Sequence, residues 1–194
     1  MQLRCQKQRK KRYGKTDRRG IIPNRLSIED RPAIVDERSR IGDWEADTVI
    51  GRNHKHAIVS IVERKTGFTL IHKVERKTSQ AVSQAMVELL KPYRKKVHTI
   101  TSDNGREFAG HEAISKQLKA NFYFAHPYAS WERGTNENTN GLIRQYFPKD
   151  LDFTTITQQE IDMAMERLDN RPRKRLGYQT PNQVFLKSGV ALHT

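Results

Sequence analysis

The chain has 194 residues, enough for one domain of ordinary size with an extension. Its 36 Lys and Arg against 22 Asp and Glu give a net charge of +14, an excess that favours a polyanionic partner, with DNA or RNA the usual one. The single Cys5 excludes an intramolecular disulfide and a multi-cysteine zinc site and suits a reducing cytoplasm, and no apolar run approaches the roughly 18 residues of a membrane helix.

The first 40 residues are the most basic stretch, with 13 Lys and Arg against 5 Asp and Glu. Residues 1–20 offer almost nothing to bury and read as an extended arm, either a strap for phosphates or a solvated linker. Residues 27–39 (SIEDRPAIVDERS) predict a short helix with Ser27 as cap and Glu29 and Asp30 in its first turn. Residues 1–40 therefore form the expected arm and residues 41–194 the expected core.

From Gly42 the pattern turns globular. Residues 43–50, 57–62 and 67–74 alternate or run apolar as strands, joined by connections of hairpin length with Gly67 at the second turn. Residues 79–90 follow as an amphipathic helix: Val82, Ala85, Met86, Leu89 and Leu90 recur at helical spacing, and Pro92 lies just beyond. The β-branched run 97–102 is a fourth strand, parallel to its neighbour if that helix is a crossover. A helix over 110–119, a strand over 121–125, a helix over 135–147 and a helix over 158–169 complete the order. The last opens on a capping box, Thr157 with Glu160. The sum is an α/β fold, a mixed five-stranded sheet flanked by helices.

Three acids stand out in this frame. Asp103 follows the fourth strand and precedes Asn104-Gly105, where a side chain can project from the sheet edge while the glycine turns the chain away. Asp47 sits inside the first strand, a costly place for a carboxylate without a cation or donors. Asp43 and Glu45 share its pleat face, so alternation does not choose among the three. Glu137 falls in the first turn of its helix, with Asn140, Gly141, Arg144 and Gln145 within roughly 80° of it at about 100° per residue. Singly, each has an ordinary reading: a turn, a strand residue on an open face, a solvated helix position. Together, in a basic protein, they point to a divalent-metal site acting on phosphodiesters. Trp131 beside Arg133 reads either as a base-stacking ring or as a packed loop anchor.

The segments GDWEADTVIG, ITSDNGREF, HPYASWERGTNENTNGLIRQYFP and NRPRKRLGYQTPNQVF, over about residues 21–186, resemble in order and spacing the catalytic domain of insertion-sequence-30 family transposases. These belong to the wider Asp-Asp-Glu transposase and retroviral-integrase group. The resemblance implies a ribonuclease-H-like fold and selects Asp47, Asp103 and Glu137 as the catalytic and metal-binding triad. It also implies two Mg²⁺ or Mn²⁺ ions roughly 3.5–4 Å apart, no small-molecule cofactor, and no membrane. The implied reaction is DNA strand cleavage by water, then strand transfer by the freed 3′-hydroxyl. The expected partners are element-end and target DNA and at least one further copy of the chain, in a bacterial cytoplasm at the nucleoid. Arg133, Asn136, Asn140 and Arg144 are the candidates for positioning phosphates beside the metals, and Arg171, Arg173, Lys174 and Arg175 form a second basic cluster for DNA.

Family members usually carry an N-terminal helix-turn-helix region that reads the element ends. No such region stands before Gly42, as expected for a truncated copy or a catalytic fragment. Two other readings fit the same residues: a nuclease that cuts without joining, and a non-catalytic DNA-binding remnant. If the arm grips phosphates, deleting residues 1–20 flattens the dependence of DNA affinity on salt, by about 0.9 in log–log slope for each phosphate the arm had neutralised. An unchanged slope in a salt series would show that the arm does not touch DNA.

Overall fold

The computed structural model describes residues 22–127 and 129–187. The arm over 1–20, with Cys5, lies outside the described residues. Strands β1 (Leu26–Ser27), β2 (Asp43–Ile50), β3 (Ala57–Glu63), β4 (Thr69–Val74), β5 (Thr99–Ser102) and β6 (Asn121–Phe124) form one sheet in the order β1-β6-β5-β2-β3-β4. The β2–β3 and β3–β4 pairs are antiparallel, as their short connections require. The β2–β5 and β5–β6 pairs are parallel, bridged by the crossover helices α2 (Ser79–Leu90) and α3 (His111–Leu118). The five expected strands are all present, and the two-residue β1 adds a parallel edge beside β6.

Each face of the sheet has its own apolar cluster. On one, Trp44 and Ala46 of β2 join Val59 and Ile61 of β3 against Val82, Ala85, Met86 and Leu90 of α2 and Ile114 and Leu118 of α3. On the other, Val49, Ile58 and Ile71 meet Ile143 of α4 (Gly134–Ile143) and Ile161, Ala164 and Leu168 of α5 (Gln158–Asp169). With both faces covered, β3 is buried along its whole length, which is why residues 57–62 are apolar on both faces but for Ser60. The Thr157–Glu160 capping box of α5 is formed as the sequence predicts.

Three local differences separate the structure from the expected elements. The helix expected over 27–39 is split at Pro32: Ser27 caps a 3-10 turn at Ile28–Asp30, and a one-turn α1 (Ile34–Glu37) follows. This segment packs on the sheet. Val35 is fully buried, and Arg31 donates to Thr101 Oγ1 of β5 at 3.0 Å. The helix expected over 135–147 ends at Ile143 and passes through turns to Pro148. Sequence periodicity did not predict α6 (Pro181–Lys187), whose Phe185 stacks on Phe68 at 4.2 Å between ring centroids and meets Trp44 edge-on at 5.6 Å. Among the described residues no helix is long and apolar enough to cross a membrane.

Asp169 closes α5 with its carboxylate almost wholly buried, accepting the Thr69 backbone N–H at 2.8 Å. Burial pushes its pKa up to about 8 against the pull of that hydrogen bond and of Arg173. The folded chain thus holds this proton more tightly than the unfolded chain. Its contribution to stability is complete below about pH 4 and is lost as pH rises toward about 8. Asp169→Asn keeps an acceptor for Thr69 and removes the titration. Its melting temperature relative to the wild type should climb steadily between pH 5 and pH 9. Parallel melting curves across that range would contradict the assignment.

Candidate active site

The acids of interest lie on the face of β2 that α4 covers. Asp43, Glu45 and Asp47 share this face, but their surroundings differ. Asp43 is buried under a two-pronged contact from Arg40, with both N···O distances 2.9 Å, and accepts from Thr99 Oγ1 at 2.7 Å. Glu45 has no exposed surface. It pairs with Arg64 at 2.8 Å and accepts the Asn136 backbone N–H at 2.8 Å. The residue before α4, Arg133, supplies no side-chain cap, so Glu45 performs that duty from the sheet below, at the positive end of the helix. Both acids are consumed by the protein's own donors.

Asp47 stands where the strand reaches open space, its side chain 23% exposed. One oxygen accepts the Thr48 backbone N–H at 2.8 Å; the other accepts Asn140 Nδ2 at 3.0 Å and lies 3.2 Å from Arg133. Asp103, at the end of the adjacent parallel strand β5, is 41% exposed and accepts the Gly105 backbone N–H at 2.9 Å. The Arg133 guanidinium bridges the two carboxylates, reaching Asp103 at 3.7 Å. Arg133 is only 11% exposed, and its Nε is buried with no partner among the described residues. Burial pushes the Asp47 carboxyl above its usual range and Asp103 adds to this, while Arg133 and Thr48 oppose it. A cavity of about 380 Å³ opens beside the pair, lined by Asp103, Asn104, Gly105, His126 and Arg133 among others.

Glu137 is exposed on α4. Among the described residues no three His, Cys, Asp or Glu side chains are grouped to hold a metal ion, so Glu137 stands apart from the aspartate pair. It does lie four residues from Arg133 and three from Asn140, on the side of the helix that carries both toward Asp47.

The remaining candidates separate. Asn140 joins the site, bonded to Asp47 and to Ser60 Oγ at 2.8 Å. Asn136, expected beside a phosphate, is fully buried: its N–H serves Glu45 and its side-chain oxygen meets Ser60 at 3.3 Å. Arg144 is likewise turned inward, donating to the Ile50 carbonyl at 2.8 Å and lying over the Phe153 ring. Arg171, Lys174 and Arg175 are exposed and Arg173 is half-buried; Arg173 donates to the Leu168 carbonyl at 3.1 Å and Arg175 to the Lys65 carbonyl at 2.7 Å. Trp131 is 76% exposed, which removes the packed-anchor reading.

Two participants escaped the sequence reading. Glu107 is buried and accepts Thr48 Oγ1 at 3.0 Å and Lys77 at 2.7 Å, tying the loop after Asp103 to the residue after Asp47. His126 meets Glu132 at 2.8 Å and Glu29 at 3.2 Å, pinning the segment that leads to Arg133. Neither contact follows from spacing; the only local signal was that both residues lie within the motifs.

The integrase core domain family matches residues 38–130. The chain is 51% identical over 175 residues to a transposase for insertion sequence element IS4351 of Bacteroides fragilis, an alignment covering 90% of this chain and 54% of that protein. It is 38% identical over 185 residues to the transposase InsI for IS30A of Escherichia coli (strain K12), covering 94% and 48%. Over most of its length the chain is thus similar to insertion-sequence-30 family transposases, and its residues 38–130 to the integrase core domain. It spans about half the length of these curated relatives. The fold of the chain is met again in the catalytic core domain of BIV integrase. That structure superposes with a TM-score of 0.60 at 22% identity, over 77% of this chain and 97% of the other.

Because ionised Asp47 is held above its ordinary pKa, its charge works against the metal-free fold at neutral pH. Asp47→Asn should therefore melt at least as high as the wild type without metal, at roughly 2–4 °C for each kcal/mol gained. Added Mg²⁺ or Mn²⁺ should raise the melting temperature of the wild type only. A variant that melts lower without metal, or gains as much from Mn²⁺, would contradict this electrostatic account.

Proposed function

We propose that the chain is the catalytic core of a DNA transposase that cleaves strands at the ends of an insertion sequence and joins the freed 3′ ends to target DNA. The observation that carries this reading is the convergence of Asp47 and Asp103, from adjacent parallel strands, on one cationic group. Hard oxygen donors gathered around a guanidinium fit Mg²⁺ or Mn²⁺ in the same place. Asp47 and Asp103 would hold the metal, and Glu137 would supply the third carboxylate once Arg133 withdraws. The chemistry that divalent ions supply at such a site is a lowered pKa for the attacking water or 3′-hydroxyl and stabilisation of the leaving oxygen.

The chain's own residues prepare that chemistry. Asn140 and the Thr48 N–H fix the Asp47 carboxylate, and the Gly105 N–H fixes Asp103, so neither has to be oriented when substrate arrives. Arg133 neutralises the pair in the free protein and, displaced, is placed to meet a non-bridging phosphate oxygen. Trp131 offers an exposed ring for a base, and Arg171 and Lys174 offer charges for the backbone. DNA and a second copy of the chain are the partners in this reading, and a bacterial cytoplasm its setting. The description of the relatives as transposases for insertion sequence elements supports it.

Asp103→Asn and Glu137→Gln should each abolish Mn²⁺-dependent nicking and strand transfer while leaving the circular dichroism spectrum unchanged, whereas Glu107→Gln should cost far less. Full residual activity in either triad variant would remove that residue from the site. Nicked products without joined ones, from the unaltered chain, would replace transposition with hydrolysis alone.

A further inference from the structure

α4 has a second face. Opposite the side that carries Arg133 and Asn140 lies a cavity of about 320 Å³, whose polar lining includes Arg38, Arg173, Arg175, Asn138 and, from the first turn of the helix, Gly134 and Thr135. Among the described residues no acid lines it. Thr135 is only 8% exposed and its hydroxyl is buried with no partner among the described residues. Three guanidiniums have thus been brought together at the positive end of a ten-residue helix, with an unused donor beside them.

Their mutual repulsion is offset only in part, by Glu63 acting on Arg175 and Asp169 on Arg173. Burial and the neighbouring Arg38 and Arg173 push the pKa of Arg175 down; burial and Arg171 do the same to Arg173. The nearest acids are otherwise engaged. Glu63 is fully buried beneath the Gly42 and Thr66 donors, and Asp169, pushed up to about 8, keeps its proton at neutral pH. Yet the arginines are held in place: Arg175 by the Lys65 carbonyl, Arg173 by the Leu168 carbonyl. Gly67, at φ +73°, leaves the space that Arg175 crosses, since a Cβ there would meet its guanidinium. A fixed cluster of like charges around an unused donor is stabilised by an anion, and guanidinium forks with a hydroxyl and a helix N-terminus suit a tetrahedral phosphate.

We infer that this cavity is a phosphate-binding site, and that it takes a backbone phosphate of the DNA strand other than the one at the acids. DNA as the source of that phosphate rests on the function proposed above; the phosphate chemistry does not. The site makes α4 a divider, with the reacting phosphodiester on one side and an anchoring phosphate on the other. Arg38 and Asn138 are exposed, so they can be altered with little effect on the fold.

The test uses the full chain with Arg38→Gln and Asn138→Asp, and with Arg94→Gln as a remote, exposed control that loses the same single charge as Arg38→Gln. Melting temperature is followed against inorganic phosphate at constant ionic strength, and duplex DNA affinity against salt. Phosphate should raise the melting temperature of the wild type and of Arg94→Gln, and fail to raise that of Arg38→Gln or Asn138→Asp. The salt slope for DNA should fall by about 0.9 for each phosphate no longer neutralised. Equal phosphate responses in all four proteins, or none in the wild type, would overturn the site. Disappearance of the phosphate response without any change in DNA binding would overturn only the assignment to DNA, leaving a free phosphate-bearing ligand. Loss of the phosphate response in a chain that never binds DNA would confirm the anion site while sinking the transposase reading.

Discussion

The pairing of Glu45 with the first turn of α4 sets the geometry of everything that follows. A carboxylate with no exposed surface is costly unless its lone pairs are filled, and here Arg64 fills one oxygen and the Asn136 N–H the other. The helix in turn lacks a side-chain cap of its own, so each partner satisfies the other's deficit. Once this contact is made, α4 has one position over β2 and β3. Asn136 and Asn140 then both reach Ser60, Asn140 reaches Asp47, and Arg133 enters between Asp47 and Asp103. The reverse side of the same helix closes the arginine-lined cavity.

Three acids on one face of one strand thus acquire three roles through their neighbours alone. Asp43 and Glu45 spend their charge on Arg40 and Arg64, deep in the fold. Asp47, two residues further along, meets only one guanidinium, shares it with Asp103, and keeps part of its surface open. At 3.2 and 3.7 Å and partly open to solvent, this pairing is looser than those of Asp43 and Glu45, and it is the kind that a divalent cation can replace. The Arg133 side chain is therefore the movable part of the arrangement, while the carboxylates and Asn140 are the fixed part.

The sequence made the fold largely legible because its signals are local. Strands β2 to β4, α2 and the capping box of α5 depend on alternation, helical spacing and short-range hydrogen bonds, and they appear close to where those signals place them. What could not be read depends on distant contacts. β1 is two residues long and exists through its pairing with β6; α6 exists because Phe185 finds Phe68 and Trp44, far earlier in the chain. The site shows the same division. The spacing of motifs named Asp47, Asp103 and Glu137 through resemblance, but it could not show that Asn136 and Arg144 turn inward to Glu45 and the Ile50 carbonyl, nor that Glu107 is buried under Lys77. A helical-wheel angle gives the direction in which a residue leaves the axis. It says nothing of which acceptor is waiting there.

The central claim is that Arg133 marks the place of a divalent cation between Asp47 and Asp103. Anomalous diffraction from crystals of the chain grown with Mn²⁺ tests it most directly. The account predicts a manganese peak within coordination distance of both aspartates, with Arg133 withdrawn from them and Glu137 turned toward the metal. Crystals saturated with Mn²⁺ in which Arg133 still bridges the two carboxylates, with manganese absent or bound elsewhere, would contradict it.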